Sequence, residues 1–159
     1  MSNLFNAVEI MDMGIEKEIK RRDFYGLAAQ RFSEKEMKEL FTKLRDWEEE
    51  HIKKFTEIRA GVKETEATDS YPGELKEYMN SLLDDGLYKE VSADLFSKNI
   101  KTPVAAVQYG IGFEKDAILF FEEMLRFMSA AGKDSVQKLV NEEKTHIIYL
   151  TELKRKLEQ

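Results

Sequence analysis

Four stretches of the chain carry apolar residues at alternating steps of three and four, the spacing that lines one face of an α-helix. The first reads Leu4, Val8, Met11, Ile15, Glu18, Arg22, Tyr25, Ala29, and the second Met37, Phe41, Leu44, Glu48, His51, Phe55, Ile58. The third runs Val104, Val107, Ile111, Glu114, Ile118, Phe121, Leu125, Met128, and the fourth Val136, Leu139, Glu143, His146, Leu150, Leu153, Leu157.

Capping and breaking residues set the expected ends. The first helix should run from near Asn3 to about Gln30. SEKE at 33–36 predicts a capping box that opens the second helix, with Ser33 as cap and Glu36 reaching back. That helix should stop before Gly61, which tolerates the left-handed conformation that ends helices. Thr102-Pro103 marks the third start, with Thr as N-cap and Pro at the first helical position. The third helix should end near Gly132, and Asp134, with Gln137 three residues on, should cap the fourth. Between the second and third helices lie about forty residues, too many for a hairpin turn. Pro72 predicts one short helix over Gly73–Leu83, and Ser92 another over Ala93–Lys98. A bundle needs such a crossover when its second and third helices point the same way. The expected architecture is all-α: one domain over 1–159, made of a helix pair (3–60), a crossover (61–101) and a second helix pair (102–158).

Composition narrows the chemistry. With only two prolines and eight glycines in 159 residues, 42% hydrophobic and 35% charged, the chain favours helix throughout. It has no cysteine, which excludes disulfides, thiolate metal sites and thiol nucleophiles, and suits a reducing cytoplasm. The N-terminal segment lacks a basic region and reaches Glu9 early, so no secretory signal is expected. No apolar run approaches the ~18 residues of a membrane span. The net charge of −6 and the mixed, terminal placing of Lys20–Arg22 and Lys154–Lys156 argue against nucleic acid as partner.

Each apolar stripe is interrupted near its middle by a glutamate: Glu18, Glu48, Glu114 and Glu143. On the second and fourth helices a histidine follows three residues later, His51 and His146, and these are both histidines of the protein. Residues at i and i+3 share a helix face, so each pair points inward together, while Glu49 and Glu50 fall off the stripe. Removing ionised carboxylates from water costs several kcal/mol each, and four together repel one another. Arg22 is the only cation on the stripes to balance them. Two divalent ions would cancel four carboxylates, and one imidazole per metal among oxygen ligands suits iron or manganese better than zinc.

The chain also repeats itself. Glu18 and Glu114 are 96 residues apart, as are Tyr25 and Phe121, while Glu48–Glu143 and His51–His146 are each 95 apart. EIKRRDFY (18–25) therefore corresponds to EKDAILFF (114–121), and EEEH (48–51) to the ligand pair within EEKTH (142–146). Each helix pair forms half a site about a pseudo-two-fold axis.

In this pattern, two units of Glu-x6-aromatic followed about thirty residues later by Glu-x-x-His, the sequence resembles the rubrerythrin branch of the ferritin-like superfamily over essentially its whole length. The resemblance implies a ferritin-like four-helix bundle with a non-haem di-iron centre. By position it makes Glu18, Glu48, His51, Glu114, Glu143 and His146 the metal ligands, with Glu48 and Glu143 bridging and Glu18 and Glu114 terminal. It implies a cytoplasmic oxidoreductase that reduces hydrogen peroxide, or dioxygen, to water. Two departures stand out. Typical rubrerythrins carry a rubredoxin module with four iron-binding cysteines; here electrons are expected from a separate donor such as a free rubredoxin. Typical rubrerythrins also place a further glutamate one turn beyond the third-helix ligand, where this chain has Ala117, which implies a more symmetric site.

Other readings accompany this one. A ferroxidase would use Fe(II) as substrate, and a redox sensor or interaction bundle would use metal structurally. Tyr25 can hydrogen-bond a ligand carboxylate or serve as core. Trp47 and the seven methionines read as packing, Arg22 as a side chain snorkelling from the core edge, and KRK at 154–156 as a match for the negative end of the last helix. A homodimer is expected, and the self-similar halves permit exchange of helix pairs between two chains.

Overall fold

A computed structural model describes residues 7–62, 77–78, 81–82 and 91–159. Four long helices and one short one appear among them: α1 (Ala7–Arg31), α2 (Lys35–Ala60), α3 (Ala93–Asn99), α4 (Pro103–Met124) and α5 (Ala130–Leu157). A single 3-10 turn, Leu125–Phe127, follows α4. No strand occurs among the described residues. None of the helices is long and apolar enough to cross a membrane.

The helix ends show what local chemistry decides. At α4 the expected cap is present: Thr102 is extended, its hydroxyl accepts from Ala105 N at 3.1 Å, and Pro103 begins the helix. At α2 the capping box does not form. Helical geometry begins one residue later than a Ser33 cap requires, Glu34 holds the N-cap position, and its side chain makes no capping hydrogen bond. Phe32, buried against Phe41 at 5.8 Å between ring centroids, anchors the connection there. Gly61 ends α2 in a right-handed conformation, with its N–H on Ile58 O at 3.1 Å, so the last turn tightens instead of reversing hand.

The break between the last two long helices comes earlier than Gly132. α4 stops at Met124, and Ser129 caps α5 by accepting from Gly132 N at 3.5 Å, leaving Asp134 inside the helix. Gly132 lies close under Met128: a Cβ there would stand 2.6 Å from Met128 Cε, a flexible end that would have to shift. In the crossover, α3 spans the expected Ala93–Lys98 segment plus one residue. The expected helix at Gly73–Leu83 falls mostly outside the described residues, of which Glu77, Tyr78, Ser81 and Leu82 are helical.

Cross-helix pairs define the directions. Asp12–Arg59 and Arg22–Glu49 make α1 and α2 antiparallel. The approach of Gly14 to Phe121 and of Gly110 to Tyr25 does the same for α1 and α4. Trp47 on His146 and Lys54 on Glu142 do so for α2 and α5. Helices α2 and α4 therefore point the same way, which is why a crossover is needed.

Two apolar clusters fill the bundle. One gathers Phe24, Tyr25, Phe41, Leu44, Phe113 and Leu150 with Phe96 and Ile100 of the crossover side. The other gathers Ile10, Met11, Phe55, Phe120, Phe121, Met124 and Val140. On every long helix the sequence-predicted glutamate lies between the residues of one cluster and those of the other. The acids thus sit at mid-height, sealed by hydrophobic packing above and below.

Candidate metal centre

All six sequence-predicted ligands are buried, none more than 8% exposed. One chain supplies all four helices that carry them. Glu143 on α5 spans the two imidazoles: its Oε1 lies 2.9 Å from His51 Nδ1 and its Oε2 lies 3.0 Å from His146 Nδ1. Glu48 Oε2 and Glu18 Oε2 lie 3.8 and 3.9 Å from His51 Nδ1, and Glu114 Oε2 lies 3.9 Å from His146 Nδ1. Two half-sites result, Glu18–Glu48–His51 and Glu114–His146, joined through Glu143. One ligand atom each from Glu48, His51, Glu143 and His146 falls within 4.8 Å of the others.

The i, i+3 spacing explains the convergence. A helical side chain leans toward the N-terminus and over the preceding turn, so Glu48 with His51, and Glu143 with His146, meet above one point of the bundle axis.

This pairing leaves the cluster incomplete. Neither oxygen of Glu18 accepts a hydrogen bond from the described residues, although Oε1 is ion-paired with Arg21, and Glu114 Oε2 accepts none either. Buried carboxylate oxygens without donors are costly, and divalent cations are what such oxygens accept. The oxygen-rich donor set, with Glu48, His51, Glu143 and His146 at its centre, could hold divalent metal ions.

The electrostatics follow from burial and one unexpected cation. Burial raises the Glu48 carboxyl well above its ordinary range and raises Glu114 to about 7. It also pushes Glu18 and Glu143 upward, but the charge of Arg21 together with hydrogen bonds from neighbouring side chains outweighs it: Glu18 ends low and Glu143 falls to about 2. For His146 burial works against the proton, yet the carboxylates of Glu114 and Glu143 carry it up to about 9. His51 is raised in the same way, chiefly by its hydrogen bond to Glu143.

Arg21 corrects the sequence reading of this helix. Arg22 is not the balancing cation; it sits at the edge, 3.1 Å from both Glu49 and Asp23. Arg21 is fully buried, with Nη2 against Glu18, 3.4 Å from Glu48 Oε2 and 3.2 Å from Glu143 Oε1, and Nη1 3.4 Å from Phe113 O. A step of three from Glu18 reaches the same helix face as a step of four, so the pattern alone left the choice open. The internal repeat held a signal, since Arg21 falls where the second half has Ala117. A buried lysine also exists, Lys17, but it is spent on Asp116 at 2.9 Å.

One more feature escaped the sequence reading. Glu142, one residue before a ligand, accepts from His51 Nε2 at 2.8 Å and fixes that ring with Nδ1 inward. Its repeat equivalent, 95 residues back, is Trp47, which stacks on His146 at 4.6 Å with 5° between planes. Of the two readings open for Tyr25, the hydrogen bond to a ligand carboxylate is the one observed: its hydroxyl donates to Glu114 Oε1 at 2.9 Å and crowds Gly110. Over the histidines lies a cleft of ≈370 Å³ lined by Trp47, Glu50, His51, Lys54, Glu142, Thr145 and His146. Set against protein-family models, curated proteins and solved structures, the chain matches none, and its function must be read from these residues.

Proposed function

We propose that the protein is a non-haem di-iron oxidoreductase that reduces hydrogen peroxide, or dioxygen, with electrons from a separate donor protein. The observation that carries this reading is the junction of two Glu/His half-sites through Glu143, buried at mid-bundle under a cleft. It agrees with the resemblance to rubrerythrins, which implies the same six ligands. When bound, the two irons supply one electron each and polarise the oxygen substrate, so that peroxide and two protons become two waters.

The chain's own residues do the rest. Glu142 holds His51 in one orientation, and Lys54, 3.0 Å from Glu142 Oε1, keeps an exchangeable proton at the mouth of the cleft. The stack of Trp47 on His146, and of His146 on His51 at 5.2 Å, lines the cleft beside the cluster. Burial holds the Tyr25 hydroxyl far above its ordinary pKa, so it stays a donor and steadies Glu114. Phe55 and Phe121, 4.6 Å apart, close the site on the far side from Tyr25.

The test is anaerobic reduction of the iron-loaded protein followed by rapid mixing with hydrogen peroxide. Reoxidation within the mixing time, consuming one peroxide per two irons, supports the reading. Slow reoxidation with accumulation of many irons per chain points to iron storage, and no reaction points to a structural metal.

A further inference from the structure

We propose that Arg21 is a tethered cation that makes the two metal positions unequal. The first divalent ion goes to the Glu114–Glu143–His146 end, and a second enters the Glu18–Glu48–His51 end only against the guanidinium. This rests on the two-metal reading of the cluster.

The asymmetry begins in the sequence. The halves repeat closely at their ligands, yet three residues after the α1 ligand stands Arg21, and three after the α4 ligand stands Ala117, itself fully buried. A methyl group in one half faces a guanidinium in the other, so any approximate two-fold symmetry of the acids is broken in charge.

The geometry says which end is affected. Arg21 Nη2 lies 3.4 Å from Glu48 Oε2 and 3.2 Å from Glu143 Oε1. These are the same two oxygens that face His51 Nδ1, at 3.8 and 2.9 Å. A metal held by His51 Nδ1 would draw on those oxygens and compete directly with the guanidinium. At the other end, Glu114 Oε2 accepts no hydrogen bond and lies beside His146 Nδ1, and Glu143 presents its second oxygen, Oε2, there. An ion arriving at that end finds a carboxylate oxygen free of donors, as Glu18 Oε2 is at the other. It draws, however, on oxygens other than the three that pair with Arg21 Nη2, and it need displace only the imidazole proton.

Charge balance agrees. Four glutamates are matched by two divalent ions, which leaves the Arg21 charge over. One divalent ion plus Arg21 leaves only a single negative charge against the four carboxylates. A second ion therefore forces Arg21 to leave its place among the three carboxylates, or to be met by an added anion such as hydroxide. The guanidinium has little freedom to move, with its carbon 5.7 Å from the Phe121 ring centroid and Nη1 on Phe113 O.

The experiment is an anaerobic Co(II) titration of the metal-free protein, read by calorimetry and by the visible absorption of bound cobalt. The wild type should bind in two steps with dissociation constants separated ~100-fold or more. His146→Ala should remove the tight step, and His51→Ala the weak one. Arg21→Ala should tighten the weak step about tenfold or more and change the tight step much less. Should Arg21→Ala not fold, the two histidine variants still locate each step in a protein that keeps Arg21. Two equal steps in the wild type, or loss of the tight step in His51→Ala, would overturn the role of Arg21 and leave the two-metal reading standing. Absence of any cobalt binding by the wild type would remove both.

Discussion

Tyr25 and Gly110 meet across the bundle so closely that a Cβ on the glycine would lie 2.9 Å from the tyrosine hydroxyl, the same hydroxyl that donates to Glu114 Oε1. Their repeat partners meet likewise: a Cβ on Gly14 would lie 3.2 Å from Phe121 Cε1. Each glycine sits one turn before a glutamate of the cluster, and its missing side chain lets an aromatic ring from the facing helix reach the level of the site.

The two contacts should respond differently to a methyl group. At Gly14 the nearest atom is Met124 Cε, the end of a flexible side chain, at 2.6 Å. At Gly110 it is the rigid ring of Tyr25. Gly110→Ala should destabilise the protein by ~1–3 kcal/mol through overpacking and loss of the hydrogen bond to Glu114. Gly14→Ala should be closer to neutral, because Met124 Cε can swing aside and leave the ~1 kcal/mol gain in helix propensity uncancelled. Urea denaturation of both variants checks this; equal losses would show that the Tyr25 contact is not special.

Lys17 and Asp116 form a buried ion pair at 2.9 Å, and Lys17 Nζ also donates to Leu82 O at 3.1 Å. Asp116→Ala leaves a buried ammonium without its main counter-charge and should cost about 3–5 kcal/mol. The double variant Lys17→Met/Asp116→Leu should recover most of that loss. Chemical denaturation of the single and double variants measures both, and an additive loss in the double would contradict the pairing.

Glu142 is half-exposed and shared between His51 and Lys54. Burial works to raise its carboxyl, and the hydrogen bonds from Lys54 and His51 bring it below the ordinary value. Glu142→Ala should lower metal affinity roughly 10–100-fold by freeing the His51 ring. It should change folding stability by only about 1 kcal/mol or less, since the Lys54 pair is screened by solvent. Competition against a chelator separates the two effects; unchanged affinity would mean Glu142 does not orient the ligand.

The metal-free fold should weaken as pH rises from about 5 to 9. Glu114, raised to about 7, and Glu48, raised well above its ordinary value by burial, both bind protons more tightly folded than unfolded. His51 and His146, the latter raised to about 9, do the same. For each group the stabilisation is full below its unfolded pKa and is lost as pH climbs through its folded one. Glu18 and Glu143 act oppositely, but only below pH ~4.5, where their lowered values lie. Thermal unfolding of the metal-free protein across this range should show a falling Tm, and a rising one would refute the protonation pattern.

Much of this was legible in the chain because the buried stripes are long and their exceptions are regular. Glu48 and His51 lie between Leu44 and Phe55, and an acid amid such residues can only face inward with them. Arg21 against Arg22 was not legible from helix spacing. Both lie within one step of the Glu18 face, and only the packing of α1 on α2 and α4 selects the one that turns inward. The α4–α5 break was misplaced because Ala130-Ala131-Gly132 reads as a fading helix, whereas Ser129 starts a new one. Glu142 gave no sign in the sequence, since its partner His51 comes from another helix and leaves no mark in local spacing.

Iron content at equilibrium tests the centre most directly. Metal-free wild type and the Glu48→Ala/Glu143→Ala variant are dialysed anaerobically against excess Fe(II), and metal per folded chain is determined by elemental analysis. Two irons per chain in the wild type, with at most a trace in the variant, is the result predicted here. Equal iron in both, or none in the wild type, would contradict it.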